Sequence, residues 1–211
     1  MRVLVTGATG YIGGRLVPRL LEAGHDVRVF VRKFDTVKGR PWEDDVEVVR
    51  GDLLEPETVG PAVWNVDAAY YLVHSMYATG DFRTADRAAA ENFCAACREA
   101  RNPPEHVIYL GGLQPKAKAT SEHLGSRAEV GAVLAGGLPG RAGVTEFRAG
   151  PIIGSGSASF EMVRYLTERL PMMVTPRWVK TRVTPVAVRD VMAYLLGALR
   201  VGPSGVVDIG P

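Results

Sequence analysis

The sequence predicts an α/β fold in which helices cover both faces of a mainly parallel, seven-stranded sheet. Two observations predict it: short apolar, β-rich runs alternate with helical patterns along the 211 residues, and a glycine-rich turn follows the first run. Strands that alternate with helices need crossover connections, and right-handed crossovers place a layer of helices on each side of a parallel sheet. The predicted architecture is therefore a doubly wound sheet.

The predicted strands are short enough to be buried in such a sheet. They are RVLVT (2–6), DVRVFV (26–31), VEVV (46–49), AAYYLV (68–73), HVIYL (106–110), VTEFR (144–148) and GVVDI (205–209). The helical patterns lie between them, at 11–24, 56–66, 82–100, 121–137, 158–170 and 186–200. Because no repeat and no low-complexity linker divides the chain, we expect one domain over residues 1–211.

Composition and charge exclude several function classes. The chain has 25 Lys and Arg against 23 Asp and Glu, so no overall field attracts nucleic acid or an anionic membrane. No apolar run approaches the roughly 20 residues that span a bilayer. The first residues enter a strand pattern at once and do not resemble a signal peptide. We therefore expect a cytoplasmic protein that binds neither nucleic acid nor membrane and acts on a small molecule.

Cys94 and Cys97 form a C-x-x-C sequence, for which a dithiol site, half of a metal site and ordinary helix packing are the alternatives. Both lie in an alanine-rich helical pattern, with no second cysteine pair and no histidine nearby at ligand spacing. Because free cysteine behaves mainly as a small buried apolar residue, the sequence favours helix packing.

The glycine-rich turn predicts a dinucleotide site. VLVTGATGYIGGRL (3–16) places Gly7, Gly10 and Gly13 between the first strand and the first helix, with the spacing G-x-x-G-x-x-G. In a doubly wound sheet this turn lies at the carboxyl edge, where a helix N-terminus presents free N–H groups to a phosphate. Gly7 then permits the tight turn, Gly10 lets a pyrophosphate approach the backbone, and Gly13 lets the helix lie close to the strand.

These residues resemble the cofactor loop of the extended and atypical short-chain dehydrogenase/reductase superfamily, in particular its NmrA-like NAD(P)H-binding branch. The resemblance continues in order through RGDLLEP (50–56), YLVHSM (71–76), VIYLGGL (107–113) and FRAGPIIG (147–154). It implies a Rossmann fold with the first segment near the adenine, the second beside the pyrophosphate and ribose, and the last beside the nicotinamide. The cofactor-binding residues that it implies, besides the three glycines, are Thr9, Tyr11, Ile12, Asp52, Leu53, Val73, His74, Ser75 and Pro151.

The end of the second strand predicts which nicotinamide cofactor binds. An acidic residue there accepts the ribose 2′-hydroxyl of NAD, whereas a basic residue accommodates the 2′-phosphate of NADP. This chain has Arg32 and Lys33 there, and no acid before Asp35. Arg32 offers a planar fork to a phosphate and Lys33 offers a second charge, so the sequence favours NADP over NAD. The alternative interpretation is a solvated basic pair at the start of a loop.

The proton relay of the resembled family has no match in this sequence. Its reductases share a serine after the fifth strand and a Tyr-x-x-x-Lys on the next helix, whereas this chain has Gly111 and Gly112 and then SEHLGSR (121–127). His123 and Arg127 keep the four-residue spacing that puts two side chains on one helical face. One interpretation makes His123, with an ordinary pKa of about 6.5, a general acid and Arg127 a ligand of the ribose or of an anionic substrate. The other makes both of them solvent-facing helix residues.

These features predict an NAD(P)H-dependent oxidoreductase that transfers hydride to a small carbonyl, quinone or related substrate. The alternative is a non-catalytic NADP-binding sensor of NmrA-like type, and the missing Tyr-x-x-x-Lys disfavours a nucleotide-sugar epimerase. The chain ends at GVVDIGP (205–211), where members of the resembled family continue into a substrate-covering region. We therefore expect a minimal or truncated substrate region, and the sequence leaves the oligomeric state open.

Overall fold

The computed structural model describes residues 1–74, 81–114, 121–140, 142–169 and 183–210. Its strands are β1 (Arg2–Thr6), β2 (Asp26–Val31), β3 (Val46–Arg50), β4 (Ala68–Tyr71), β5 (His106–Gly112), β6 (Gly143–Ala149), β7 (Ile152–Ile153), β8 (Val186–Ala187) and β9 (Gly205–Ile209). Its α-helices are α1 (Gly13–Glu22), α2 (Gly60–Val63), α3 (Phe82–Glu99), α4 (Glu122–Gly137), α5 (Ala158–Arg169) and α6 (Val188–Val201). Short 3₁₀ turns lie at Phe34–Thr36, Glu43–Asp45 and Pro56–Thr58.

Seven of these strands form one sheet in the order β3-β2-β1-β4-β5-β6-β9. Every neighbouring pair in it is parallel. The predicted doubly wound Rossmann fold is thereby confirmed. The chain order reverses at β1, since β2 and β3 lie on one side of it and β4 lies on the other. A crevice at the carboxyl ends of β1 and β4 is where such sheets bind their ligands.

Two adjacent tyrosines show how the sheet divides the core into two layers. Tyr70 and Tyr71 are almost fully buried, and because successive strand residues point to opposite faces, each enters a different layer. The Tyr70 hydroxyl donates to the Leu195 carbonyl of α6 at 2.8 Å. Tyr71 packs edge-on against Phe93 of α3, with ring centroids 5.3 Å apart. Helices α1 and α6 cover the first face, while α2, α3 and α4 cover the second.

The structure departs from the predicted elements at three places. The helix predicted over 56–66 is a 3₁₀ turn (Pro56–Thr58) followed by the short α2 (Gly60–Val63), because Pro61 has no N–H and fits a helix only in its first turn. The strand predicted over 68–73 ends at Tyr71, because the Leu72 amide donates to the Thr6 side-chain hydroxyl at 3.2 Å and so leaves the backbone ladder. The strands β7 and β8 pair in a small second sheet that the sequence does not predict. Two-residue strands carry no periodicity from which they could be recognised.

Two of the sequence interpretations concern the helices: the role of the two cysteines, and whether any segment could span a membrane. Cys94 and Cys97 lie buried on α3 as free thiols packed in the second layer, which agrees with helix packing. Burial raises the pKa of these thiols to about 11 and about 12, and a thiol with a raised pKa is a poor nucleophile and metal ligand. In the described ranges, no helix combines the length and the apolar character that crossing a membrane requires.

Candidate functional site

The glycine loop connects β1 to α1 at the carboxyl edge of the sheet. Gly7 has a φ of +69°, a conformation that residues with a side chain rarely adopt. A Cβ at Gly7 would lie 2.6 Å from the Leu72 carbonyl oxygen. The absence of a side chain therefore lets the ends of β1 and β4 approach each other, in agreement with the tight turn expected at Gly7.

Gly13 brings the first turn of α1 onto the loop. A Cβ at Gly13 would lie 2.7 Å from the Ala8 Cα and would also meet the Gly7 carbonyl oxygen. The close approach is therefore between helix and loop, whereas the sequence predicted it between helix and strand. Gly10 is exposed, and its amide donates to the Gly7 carbonyl at 3.0 Å. Its contact with a pyrophosphate stays a prediction.

The N-terminus of α1 is open to an anion. Ile12 precedes the helix and supplies no side-chain hydrogen bond to it, and the first helical turn holds no acidic residue. The amides of Gly14 and Arg15 already donate to the Gly10 and Ile12 carbonyls, so it is the dipole of the helix that favours a negatively charged group beside the loop. A cofactor pyrophosphate fits this arrangement.

Tyr11 links the loop to the segment after β7. The Arg15 guanidinium lies 4.0 Å from the centre of the Tyr11 ring, and its Nη2 donates to the Ser155 carbonyl at 2.7 Å. The Tyr11 hydroxyl lies 2.6 Å from where a Cβ at Gly154 would stand. The loop is thus fixed against the segment that the family resemblance places beside the nicotinamide.

A pocket of about 350 Å³ opens at the carboxyl ends of β2 and β3. Its lining residues are Arg32, Arg50, Gly51, Asp52, Glu55 and Thr58. Two predicted cofactor residues, Arg32 and Asp52, therefore meet in one pocket, and Arg50 is an addition that the sequence did not predict. The register between β2 and β3 brings Arg50 to this pocket, because it pairs Arg50 with Val31, the residue directly before Arg32. Lys33 is exposed outside this lining.

Arg40 is a second candidate that sequence reasoning missed. Its Nη2 donates to the Thr9 carbonyl of the glycine loop at 2.9 Å, and its Nε donates to the Thr36 carbonyl at 3.1 Å. Its Nη1 lies 2.9 Å from where a Cβ at Gly14 would stand. Gly14, for which the motif gives no role, thus leaves room for a cation at the loop. In the sequence, the feature that could have indicated this space is Gly14, the fourth glycine, directly after the G-x-x-G-x-x-G motif.

The other residues implied by the family resemblance follow strands of the same sheet edge. Leu53, after β3, is nearly fully buried, and its carbonyl accepts from Asn92 Nδ2 at 2.8 Å. Val73, after β4, packs partly buried against the second layer. Pro151, after β6, is exposed. Ser75 lies outside the described residues.

His74, His123 and Arg127 come together where β4 and β5 end. Arg127 donates from Nε to His123 Nε2 at 3.3 Å and from Nη1 to the Leu110 carbonyl at 3.0 Å. The His74 ring lies edge-on to the His123 ring, with centroids 5.9 Å apart. All three residues are half-buried, so the structure favours a defined cluster over solvent-facing helix residues.

Burial keeps both imidazoles of this cluster neutral near pH 7. Burial first, and then the Arg127 charge, lowers the pKa of His74 to about 4, while Asp86 opposes this change. The same causes lower the pKa of His123. Because His123 Nε2 accepts from Arg127, we assign the proton of the neutral ring to Nδ1. A general acid at His123 is then the neutral Nδ1–H, whereas the ordinary pKa suggested an imidazolium.

Gly111 and Gly112, which were predicted to follow the fifth strand, are its last two residues, since β5 runs to Gly112. The Glu146 carboxylate occupies the space beside Gly111. A Cβ at Gly111 would lie 3.1 Å from Glu146 Oε1, and a Cβ at Gly131 of α4 would lie 2.5 Å from Glu146 Oε2. Arg148 donates from Nε to Glu146 Oε1 at 2.8 Å and so neutralises this buried carboxylate. A side chain at position 111 would crowd Glu146 and the Tyr109 ring, so the packing favours glycine there.

The matched region contains the glycine loop, the basic pocket and the His–Arg cluster. A family model described as NAD(P)H-binding matches residues 7–136, more than half of the 211-residue chain. The chain belongs to the NAD(P)H-binding family.

Two curated proteins are relatives of this NAD(P)H-binding chain. A 3-beta-hydroxysteroid dehydrogenase from Mycolicibacterium neoaurum is 40% identical over 70 residues, which are 33% of this chain and 18% of the relative. A 2-alkyl-3-oxoalkanoate reductase from Stenotrophomonas maltophilia is 36% identical over 104 residues, with 46% of this chain and 30% of the relative covered. The chain thus matches less than a third of the length of either relative.

Solved structures share the fold of this NAD(P)H-binding chain. WbmG from Bordetella bronchiseptica, in complex with NAD, superposes with a TM-score of 0.78 at 16% identity, covering 100% of this chain and 72% of that one. Vestitone reductase from alfalfa superposes with a TM-score of 0.74 at 20% identity, covering 100% and 76%. With the family match, this likeness confirms the resemblance to extended and atypical short-chain dehydrogenases/reductases and is consistent with their NmrA-like branch.

Proposed function

We propose that this NAD(P)H-binding protein is a cytoplasmic, NADP-dependent oxidoreductase that transfers hydride to a small carbonyl, quinone or related substrate. The observation that carries the proposal is the cluster of His74, His123 and Arg127 at the same sheet edge as the glycine loop. Ligands of doubly wound sheets bind along this edge. The two curated relatives are named a dehydrogenase and a reductase, which supports an enzyme and does not favour the sensor alternative.

The arginines near the loop support NADP as the cofactor. Arg32 and Arg50 line the pocket that Asp52 shares, and Arg40 donates to the Thr9 carbonyl. A guanidinium presents paired N–H donors that match a phosphate group, such as the 2′-phosphate that distinguishes NADP from NAD. The bare backbone of the loop and the N-terminus of α1 would hold the pyrophosphate.

His123 is the proton-transfer group in this proposal. When bound, the nicotinamide supplies or accepts the hydride. The neutral His123 ring gives its Nδ1 proton to the oxygen of a carbonyl that is being reduced, which leaves an imidazolate whose Nε2 stays hydrogen-bonded to the positively charged Arg127. Solvent then returns a proton to Nδ1, and in the reverse reaction the imidazolate removes the proton of the alcohol. Arg127 holds the ring through its Nε and is itself anchored on the Leu110 carbonyl. This pair would replace the family's tyrosine and lysine.

Turnover of the purified protein tests the proposal. We expect oxidation of NADPH in the presence of at least one member of a panel of aldehydes, ketones and quinones. His123→Phe keeps a ring but no transferable proton, so turnover should fall by about 10²- to 10⁴-fold, while the Kd for NADPH stays near the wild-type value. His25→Phe makes the same change just before β2, at the opposite end of the strands, and should retain activity.

Two outcomes would contradict the proposal. Wild-type turnover in His123→Phe would exclude His123 as the proton-transfer group. Tight NADPH binding without turnover on any member of the panel would instead favour the NADP-binding sensor.

A further inference from the structure

Asp86 is a buried carboxylate that the proposed function does not use. It is 7% exposed and shares the buried face of α3 with Ala89, Ala90 and Phe93, at the spacing i, i+3, i+4 and i+7. An apolar residue would pack at this position without an electrostatic cost, whereas a buried carboxylate gives up its contact with water. Its presence therefore requires compensation from neighbouring groups.

Helix α4 supplies part of this compensation. Ser126 is 1% exposed and donates from Oγ to Asp86 Oδ2 at 3.0 Å. In the sequence, Ser126 lies between His123 and Arg127. The hydrogen bond from Ser126 to Asp86 therefore anchors the helical turn that carries the His–Arg pair. Tyr109 anchors the same turn from β5, since its hydroxyl donates to the Arg127 carbonyl at 3.0 Å.

We propose that Asp86 is a positioning residue, whose carboxylate accepts from Ser126, holds the helical turn that carries His123 and Arg127 and places a negative charge near the two imidazoles. This inference rests on the proposed function, because it treats His123 as the proton-transfer group and His74 as the ring that packs against it.

The charges around the cluster agree with this role. Among the described residues, Arg127 and burial lower the pKa of both His74 and His123, the His123 charge also lowers that of His74, and Asp86 raises both. Asp86 therefore acts against the other influences on each ring. Without it, both imidazoles would release their protons at a still lower pH.

Titration of the histidines by NMR tests the inference. Asp86→Asn keeps an oxygen that can accept from Ser126 but removes the charge. We expect the pKa of His74 and that of His123 to fall in this variant relative to the wild-type protein. The pKa values of His25 and His106, on which Asp86 has no resolved influence, should remain unchanged, and single His→Phe variants assign the four signals.

Glu129→Gln is the matched control. Glu129 lies on the outer side of the same helix pair, where it accepts from Arg83 at 2.7 Å. It is an acid of α4, like Asp86 of α3, but it is not among the groups that shift either imidazole. Its removal should leave all four histidine titrations in place. Asp86→Glu retains the charge and should move the titrations back towards the wild-type values.

The inference is overturned if a folded Asp86→Asn leaves both titrations unchanged, or if Glu129→Gln shifts them equally. If Asp86→Asn does not fold, Asp86→Ser applies the same criterion with a smaller neutral side chain. If neither variant folds, the role of Asp86 is fold stability and the inference fails. Because the titration needs no cofactor and no substrate, it remains readable even if the proposed turnover is not found.

Discussion

At the scale of single residues, the arginines near the glycine loop differ in how their charge is used. Arg40 is held by the carbonyls of Thr9 and Thr36, and among the described residues no carboxylate lies within ion-pair distance of it. Carbonyls orient a guanidinium without neutralising it. Arg40 therefore keeps a full positive charge at the loop, where a phosphate would meet it.

This arrangement predicts a loss of NADP selectivity in two variants. Arg32→Ala and Arg40→Met should each weaken NADPH binding by about 1.5–3 kcal/mol, the contribution of a hydrogen bond to a charged group, and should leave NADH binding nearly unchanged. Lys38→Ala is the matched control, since Lys38 is exposed, pairs with Asp35 and lies outside the pocket lining. Calorimetric titration with both cofactors measures the effect. Equal losses for NADPH and NADH would mean that the arginine acts through the loop structure alone.

The same residues show what the sequence could predict about the site. Arg32 was predictable because it follows a recognisable strand of a parallel sheet, and Asp52 was predictable because its segment resembles that of the family. Arg40 and Arg50 were not, because their positions depend on a turn conformation and on the register between β2 and β3. Lys33 has an extended backbone, which turns adjacent side chains to opposite sides, so Arg32 and Lys33 do not share one side of the chain. The contact of Lys33 with a 2′-phosphate stays a prediction.

At the scale of elements, α1 packs directly against the glycine loop at Gly13. The Cβ of any other residue there would meet the backbone of Gly7 and Ala8, and backbone atoms cannot move aside as a flexible side chain can. The position of α1 on the loop therefore depends on the absence of a side chain at Gly13, and this position fixes the direction in which the N-terminus of α1 points.

Two Gly→Ala variants should therefore have opposite effects on stability. Gly13→Ala should lower the free energy of unfolding by about 3 kcal/mol, since it overpacks a contact between backbone atoms. Gly197→Ala, in the middle of α6, meets nothing within 4 Å and should raise that free energy by about 0.5–1 kcal/mol through helix propensity. Urea denaturation measures both. A Gly13→Ala protein as stable as the wild type would show that α1 can shift without cost.

The strands of the main sheet could be predicted from the sequence, whereas the short strands β7 and β8 could not. The seven strands of the main sheet were all recognisable, because buried parallel strands need continuous apolar runs. The pairing of β7 with β8 was not, since it joins two-residue segments more than thirty residues apart, and its contacts include a hydrogen bond from the Val186 amide to the Pro151 carbonyl at 3.1 Å.

At the scale of the whole molecule, all four histidines share one electrostatic property. Burial is the largest cause that lowers the pKa of His25, His74, His106 and His123. In the unfolded chain their pKa returns to about 6.5. The unfolded chain therefore binds protons at a higher pH than the folded protein does, and acid favours unfolding.

The free energy of unfolding should accordingly be nearly constant between about pH 7.5 and 8 and should fall as the pH drops below about 6.5. Each histidine adds up to about 1.4 kcal/mol per pH unit to this slope until its folded form also binds the proton. Urea denaturation at several pH values between 8 and 5 measures the slope. His106→Gln, which can still bond the Thr145 hydroxyl that His106 contacts at 2.8 Å, should reduce it. A stability that does not change over this range would contradict the prediction.

The Glu146 carboxylate beside Gly111 limits which single substitutions the protein can accept at the positions that surround it. A Gly111→Ser change alone would crowd Glu146, and shortening Glu146 first would leave a void beside Gly131 and an unpaired Arg148. The three positions are in contact, so the effects of their substitutions are not additive. Each single substitution in this set is unfavourable unless the others accompany it. A library that varies positions 111, 131, 146 and 148 together should therefore yield stable combinations that no series of single changes reaches.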